Sequence, residues 1–317
     1  MTAIRLRRRP LVPASLRLRP LARREALFGY LFLAPWLIGF VAFTFLPMIA
    51  SLIFTFTNVN LAQEEPLRFV GLQNFQSLFA DTQVWESLKV TFTFALLNLP
   101  IAIAIPFIVA LTLNSRSLRG VSAFRVAIFL PYVIPFVSGV LIWQSMLNLE
   151  TGWLNIVLRF IGIANPPNWL QDPSTVYPSF VFIGLWAIGA GVIVNLAGLR
   201  GIPSELYDAA RIDGAGFWAS LRNVTLPLMS PVIFYSLVLG IVDVLQYFLV
   251  PLVLYNGTGE PNGSTLFYNL LIYKTFFTYQ NMAYGATLAW LLFVITLAIT
   301  LVLFRTSRRW VYYAGER

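Results

Sequence analysis

The sequence contains no cysteine and no histidine, and charged residues fill only 11% of its 317 positions. The missing cysteine and histidine exclude disulfides, thiolate or imidazole metal sites, nucleophile–base pairs built on those residues, and histidine proton relays. The two lysines, Lys89 and Lys274, do not follow a glycine, so a phosphate-binding G-x-x-x-x-G-K-[ST] loop is absent as well. We therefore predict no catalytic residue, no metal and no cofactor, and any ATP used must be bound by another chain.

Hydrophobic residues make up 58% of the chain, whereas an ordinary soluble domain is about 25% charged. A water-soluble globule could not cover its surface with so few charges, so lipid is the expected solvent. A helix of about 20 apolar residues crosses the roughly 30 Å hydrocarbon core. We predict an all-α integral membrane protein with six transmembrane helices, and both termini on one side. The apolar runs lie at about 27–57, 88–113, 124–147, 176–199, 227–250 and 282–304.

The formal net charge of +9 is unevenly distributed. Most Lys and Arg residues lie in the N-terminal tail, the second and fourth loops and the C-terminal end. This positive-inside pattern predicts that both termini are cytoplasmic. Anionic lipid headgroups suffice to explain the basic tail, so we predict no nucleic-acid partner. The opposite side carries the carboxylates Glu64, Glu65, Asp81, Glu86, Glu150, Asp172 and Glu260.

Three segments follow from these patterns. Residues 1–26 form a basic cytoplasmic tail, 27–309 a six-helix transmembrane domain, and 310–317 a cytoplasmic C-terminal tail. The first apolar run is too long for a cleaved signal peptide and is expected to remain as an anchor. Tryptophan and tyrosine have amphipathic rings that favour the membrane boundaries, and six of these residues lie near the predicted outer boundaries. They are Trp85, Trp143, Trp153, Trp169, Tyr177 and Tyr279.

Proline and glycine interrupt several of the predicted spans. Proline within a helix removes a backbone hydrogen bond and is expected to bend the helix. Small residues permit close approach of neighbouring helices. The prolines are Pro100 and Pro106 in the second span and Pro131 and Pro135 in the third. The glycines, all in the fourth span, are Gly184, Gly189 and Gly191.

The loop at about 200–227, between the fourth and fifth spans, is predicted to contain a short capped helix. Ser204 follows a proline and is the expected N-cap. Glu205 in the first turn and Arg211 near the end complement the helix dipole. Gly214 is placed to end the helix in the left-handed conformation. A mere connector needs no such caps, so this exposed cytoplasmic helix, with Ala209 and Ala210 on it, is predicted to meet another protein.

The stretch from Glu205 to Ala215, Glu-Leu-Tyr-Asp-Ala-Ala-Arg-Ile-Asp-Gly-Ala, resembles the EAA loop of ABC-importer permeases. Val-Thr-Leu-Pro follows at residues 224–227, where that family has Ile-x-Leu-Pro. Asp208 stands in the place of the family's glutamate, and the longer spacing to Gly214 is common in the carbohydrate, maltose-type branch. Three further segments resemble that branch: Gly-Leu-Gln-Asn-Phe at 71–75, Phe-Leu-Pro-Tyr at 129–132 and Ala-Tyr-Gly-Ala at 283–286.

The resemblance implies a type I importer permease fold and the permease subunit of an ATP-driven, binding-protein-dependent carbohydrate importer, not an enzyme. It implies a second homologous permease subunit, two cytoplasmic ATPase subunits and an extracytoplasmic solute-binding protein as partners. The loop helix would dock on an ATPase subunit, with either Asp208 or Glu205 pairing with it. The residues assigned to this coupling are Glu205, Asp208, Ala209, Ala210, Asp213 and Gly214.

The alternative is a secondary transporter or channel that works alone. Such carriers usually show intramembrane ionisable residues and repeated halves. This sequence offers one intramembrane carboxylate, Asp243, and no obvious inverted repeat, and a carrier has no need of an EAA loop.

Asp243, Gln246 and Tyr247 in the fifth span stand at i, i+3 and i+4, which predicts one shared helix face. Polar groups are costly in hydrocarbon unless they are paired or face water. We therefore predict that this face looks into a central cavity and meets the hydroxyls of a carbohydrate, although Asp243 bonding to a neighbouring helix remains the alternative. Asn195 and Thr287 are weaker candidates on other spans.

Overall fold

The computed structural model describes residues 20–63, 65–115 and 120–312, and nearly all of them are helical. In these residues the β-structure is one isolated bridge between Thr57 and Phe69. Most of the predicted basic tail, with Arg5 to Arg19, lies outside the described residues. So do Glu64, Arg116, Arg119 and the last residues, 313–317.

The α-helices are numbered in chain order and joined in places by single π-helical or 3₁₀ turns. They are α1 (Pro20–Phe40), α2 (Leu46–Phe54), α3 (Gln73–Ala80), α4 (Thr82–Leu113), α5 (Val121–Phe129), α6 (Phe136–Met146), α7 (Trp153–Phe160), α8 (Val176–Leu185), α9 (Gly189–Arg200), α10 (Ser204–Ile212), α11 (Phe217–Ser220), α12 (Leu226–Leu245), α13 (Leu249–Tyr255), α14 (Tyr268–Tyr273) and α15 (Met282–Ser307).

The structure contains four to six candidate spans, and the upper number equals the six predicted ones. Within the described residues, four helical stretches are long and apolar enough to cross a membrane, and two bent helix pairs bring the number to six. The unit up to Ile53 consists of α1 and most of α2, joined by the π-helical turn Val41–Phe45. The other spans belong to the unit that begins at Phe54. The four long stretches are Ala22–Phe54, Thr82–Leu113, Phe217–Tyr255 and Met282–Ser307.

The third span is sharply bent, as its prolines predict. The segments Val121–Val133 and Phe136–Met146 meet at 101°. The break lies at Ile134 and Pro135, whose backbones are extended with ψ near 130°. A residue before proline avoids the helical conformation because of a clash with the proline ring. By contrast, α4 continues without interruption through Pro100 and Pro106.

The fourth span is bent by 58° between Leu185 and Gly189, and its glycines differ in their surroundings. A Cβ atom on Gly191 would lie 3.1 Å from Pro106 of α4, and one on Gly189 would lie 3.0 Å from the ring of Phe129. The predicted close helix approach is therefore confirmed at these two positions. At Gly184 a Cβ atom would meet nothing within 4 Å among the described residues, so no close approach within this chain occurs there.

The core of the unit that begins at Phe54 contains two apolar clusters. The larger one is centred on aromatic residues, with Phe94, Phe180, Phe267 and Tyr268 almost completely buried. The smaller one joins α4, α9 and α12 through Ala110, Leu113, Val192, Leu196, Leu199 and Met229. Many other large apolar side chains are exposed, which is the surface expected of a helix bundle in lipid.

Candidate functional site

Helix α10 is the short loop helix that the sequence predicts. It covers Ser204–Ile212, and its N-cap residue is Pro203, with no side chain accepting a hydrogen bond there. The prediction that Ser204 is the N-cap is wrong. Pro203 has φ −57° and ψ 132°, so the chain enters the helix directly after the proline and Ser204 is already the first helical residue.

The C-terminal end of α10 is closed by Gly214 in the left-handed conformation, with φ +78°. The amide of Gly214 donates to the carbonyl of Arg211 at 3.0 Å, and the amide of Ala215 donates to that of Ala210 at 2.8 Å. This pair of hydrogen bonds defines a Schellman motif, which satisfies carbonyls that the helix leaves unpaired. The predicted conformation of Gly214 is confirmed.

The polar residues of α10 face solvent. Glu205 lies in the first turn and Arg211 in the last, the order that favours the helix dipole. Asp208 and Arg211 form an exposed ion pair at 3.4 Å, one helical turn apart. Ala209 is exposed and Ala210 is half-buried. The outer surface of α10 therefore presents small residues and carboxylates that another protein can approach closely.

Among the described residues, one hydrogen bond between side chains connects α10 to the fifth span. The hydroxyl of Tyr207 lies 3.0 Å from Oγ1 of Thr225, which is buried directly before α12 begins. This hydrogen bond ties α10 to the residue that directly precedes α12. Sequence reasoning missed this pair, although a tyrosine two residues after Glu205 points to the side of the helix opposite that carboxylate.

A recess of about 660 Å³ separates α10 from the C-terminal ends of α4 and α9. Among its lining residues are Asn114, Arg200, Tyr207, Asp208 and Phe217. Next to it the apolar side chains of Ile212 and Trp218 are 88% and 76% exposed. Exposed apolar groups of this size occur at surfaces that contact proteins or membranes. Ile212 is the last residue of the capped helix and Trp218 follows it closely in the sequence. This placement could have identified both residues from the sequence.

The predicted polar face of the fifth span is not a single helix face, and this prediction is wrong. Helix α12 ends at Leu245, and Gln246 is its C-cap. Asp243 and Gln246 are both exposed, but Tyr247 lies beyond the helix end. Its ring packs 4.8 Å from that of Phe94 and 5.0 Å from that of Phe267. Tyr247 thus packs in this aromatic cluster and does not belong to the helix that carries Asp243.

Asn195 and Thr287 are buried rather than open to a pathway. The amide of Asn195 donates to the carbonyl of Gly191 at 2.8 Å, and the hydroxyl of Thr287 donates to that of Ala283 at 2.9 Å. Each side chain thus donates a hydrogen bond to a backbone carbonyl of its own helix. The structure brings neither of them together with Asp243, and no group of three potential ligands for a metal occurs among the described residues.

Comparison with known proteins finds matches over most of the chain. Residues 90–314 match the family described as "Binding-protein-dependent transport system inner membrane component". The chain is 35% identical over 296 residues to the probable ABC transporter permease protein YesP of Bacillus subtilis (strain 168), covering 93% of this chain and 94% of that one. It is 31% identical over 287 residues to the trehalose/maltose transport system permease protein MalF of Thermococcus litoralis, with 90% and 95% covered.

A solved structure shares the fold. It is the bacterial alginate ABC transporter in complex with an alginate pentasaccharide-bound periplasmic protein. One of its chains matches with a TM-score of 0.80 and 26% identity, covering 92% of this chain and 98% of that one. The likeness therefore extends over nearly the whole chain.

Proposed function

Because this chain belongs to the family of inner membrane components of binding-protein-dependent transport systems, we propose that it forms half of the translocation pathway of an ATP-driven carbohydrate importer. It has the type I importer permease fold. The carbohydrate class is supported by the names of its relatives, which are a trehalose/maltose permease, a lactose permease and an arabinooligosaccharide permease. A carrier that works alone is disfavoured by the family, whose description names a binding-protein-dependent system.

Helix α10 is the element that couples this permease to an ATPase subunit. The proposal is carried by one observation, the exposed helix with a Schellman end that is hydrogen-bonded to the base of α12 through Tyr207 and Thr225. Exposed carboxylates and small residues on its outer side suit docking in a cleft of a partner. The residues that would make this contact are Glu205, Asp208, Ala209, Ala210, Asp213 and Gly214.

The complete importer contains a second, homologous permease subunit, two cytoplasmic ATPase subunits and an extracytoplasmic solute-binding protein. A binding protein is supported by the solved alginate transporter, which is a complex with a periplasmic protein that carries an alginate pentasaccharide. An ATPase partner is required because this sequence carries no phosphate-binding loop of its own. With α10 on the ATPase, both termini lie in the cytoplasm, and the transmembrane domain at 27–309 lies between the tails 1–26 and 310–317.

Asp243 and Gln246 line the carbohydrate pathway at the outer end of α12. Both side chains are exposed although they lie in a stretch that is long and apolar enough to cross the membrane. A carboxylate exposed to hydrocarbon is costly, so a water-filled cavity is its favoured environment. Tyr247 supports this site from the aromatic cluster behind it. Asn195 and Thr287 act in helix packing, since each is buried and bonded within its own helix.

The test is purification of the chain with its neighbours and uptake in reconstituted vesicles. We expect an ATPase subunit to co-purify and labelled carbohydrate to enter only with ATP and the binding protein present. Asp208→Ala and Glu205→Ala, compared in parallel, identify the residue that pairs with the ATPase, because only that variant loses the co-purifying subunit. Absence of an ATPase subunit together with uptake that survives ATP depletion contradicts the proposal.

A further inference from the structure

Helix α7, in the loop between the third and fourth spans, carries an apolar stripe that the described residues leave exposed. Trp153, Ile156, Val157 and Phe160 stand at i, i+3, i+4 and i+7, so they form a stripe about 100° wide along one side of the helix. Their side chains are 54%, 51%, 42% and 91% exposed, respectively. The stripe contains no charged residue.

The opposite side of α7 is fixed to the protein by Asn155, which is completely buried. Its Nδ2 donates to the carbonyls of Leu149 and Pro167, each at 3.2 Å, and its Oδ1 accepts the indole N–H of Trp169 at 2.7 Å. Because every polar atom of this amide has a partner, the rotation of α7 is set. The apolar stripe cannot turn inward without breaking these three hydrogen bonds.

The same contacts place α7 beside the end of a candidate membrane span. The carbonyl of Trp169 accepts a hydrogen bond from Oγ of Ser179, in the first turn of α8, at 2.9 Å. The carbonyl of the next residue, Leu170, accepts from the hydroxyl of Tyr255, the last residue of the fifth candidate span, at 2.6 Å. Since α7 is tied to Trp169, it lies beside the first turn of the fourth candidate span, the end at which that span enters the bilayer.

The one charged residue of α7 avoids the stripe. The guanidinium of Arg159 donates to the carbonyl of Leu149 at 2.8 Å and to that of Glu150 at 3.2 Å. These bonds hold the cation on the edge of α7 that lies next to Asn155. The residues that follow, Ile161 and Ile163, are also exposed and extend the uncharged surface beyond the helix.

We infer that α7 is an interfacial helix whose apolar stripe inserts into the lipid bilayer at the membrane surface. Three observations agree on this occupant: the stripe has no charge, the helix lies beside the first turn of the fourth candidate span, and an aromatic residue stands at each end of the stripe. Rings of tryptophan and phenylalanine are favoured at this depth. The lipid contact is independent of the transported solute, and only the leaflet depends on the proposed topology.

The test measures the depth of nitroxide labels in the complete importer reconstituted into lipid nanodiscs. Ile156→Cys and Phe160→Cys place single labels on the stripe. The chain has no cysteine of its own. Labelling of an importer that contains the unaltered chain therefore measures the background from cysteines in the partner subunits. Gln171→Cys, at an exposed polar position of the same loop, is the matched control. Collision rates with apolar oxygen and with a water-soluble nickel chelate are compared at each site.

Labels at 156 and 160 are expected to collide preferentially with oxygen and to lie about 5–10 Å below the headgroups, whereas the label at 171 prefers the chelate. Protection of both stripe labels from both reagents overturns the inference, because it places a protein partner on α7. Access to the chelate equal to that at 171 also overturns it, because the stripe then faces water. The expected result is the same if the importer carries a solute other than a carbohydrate.

Discussion

Gly214 shows how one residue determines the end of a functional helix. Its φ of +78° lies in the left-handed region, where residues with a Cβ atom are disfavoured by about 1–2 kcal/mol. Among the described residues, a Cβ atom at Gly214 would meet nothing within 4 Å. Within this chain the requirement for glycine is therefore conformational and does not come from crowding.

Gly214→Val is accordingly expected to strain or unwind the last turn of α10 and to lower carbohydrate uptake per ATP hydrolysed. Gly214→Asn is the matched control, because asparagine tolerates the left-handed conformation far better than a β-branched residue. Uptake and ATP hydrolysis are measured on the same reconstituted importer. Equal coupling ratios for the valine variant and the unaltered protein would contradict the role of α10.

Asp243 illustrates the cost of a charge within a membrane-spanning segment. Its side chain is exposed in α12, and the next exposed polar side chain, Gln246, follows one turn later at the helix end. A charge costs about 2.5–3.5 kcal/mol at the centre of a transmembrane helix on the insertion scale and less towards the ends, so exposure of Asp243 to hydrocarbon is disfavoured by less than that value.

The double variant Asp243→Asn with Gln246→Ala is expected to assemble normally and to lower uptake about tenfold or more, because hydrogen bonds to charged groups contribute about 1.5–3 kcal/mol each. Asp243→Glu keeps the charge and is expected to retain most of the transport. Assembly is followed by co-purification and transport by initial uptake rate. An assembled double variant with the normal rate and selectivity removes these residues from the pathway.

At the scale of elements, proline and glycine decide where the spans bend and how closely they pack. The third span bends by 101° where Ile134 and Pro135 are extended, and α9 approaches α4 where Gly191 meets Pro106. A helix that contains proline does not always break, as the uninterrupted α4 shows. The outcome depends on whether the residue before the proline leaves the helical conformation.

Gly191→Val and Gly184→Val form a matched pair that tests packing between elements. Added atoms at position 191 would overlap the ring of Pro106, and overpacking of this kind costs about 1–3 kcal/mol. Those at position 184 enter open space. We expect the first variant to unfold at a lower temperature and the second to be close to the unaltered protein. Identical thermal unfolding of the two purified variants would show that α4 and α9 are not in close contact.

At the scale of the whole molecule, the uneven distribution of Lys and Arg is expected to set the orientation in the membrane. The positive-inside pattern predicts that both termini, α10 and its recess lie in the cytoplasm, and that α3, α7 and the loop around Gly71 lie outside. In the predicted orientation α10 would be accessible to a cytoplasmic ATPase, and Asp243, near the outer end of α12, would be accessible to solute from outside.

We expect a reporter that works only outside the cytoplasm to be active when it is fused after Gly71. A reporter that works only inside the cytoplasm is expected to be active when it is fused after Arg317. Paired reporters of opposite requirement, such as alkaline phosphatase and a fluorescent protein, are measured at both positions. Cytoplasmic activity at Gly71 would reverse the topology and with it the assignment of α10 to an ATPase.

The sequence by itself determined the features that depend on local patterns. The apolar runs are long enough to span lipid whatever they pack against, so their number is evident from composition and spacing. The left-handed end of α10 follows from the glycine after the helix. The family also follows from local motifs, since the EAA-like stretch is contiguous in sequence.

The tertiary structure alone decided which side chains meet. Tyr247 fits the same periodicity as Asp243, but α12 ends at Leu245 and the ring turns inward to pack against Phe94 and Phe267. Tyr207 and Thr225 are distant in sequence, and so are Asn155 and Trp169, yet each pair is joined by a hydrogen bond. Periodicity specifies the faces of an isolated helix, whereas burial and hydrogen-bond satisfaction between helices depend on contacts that a linear pattern does not contain.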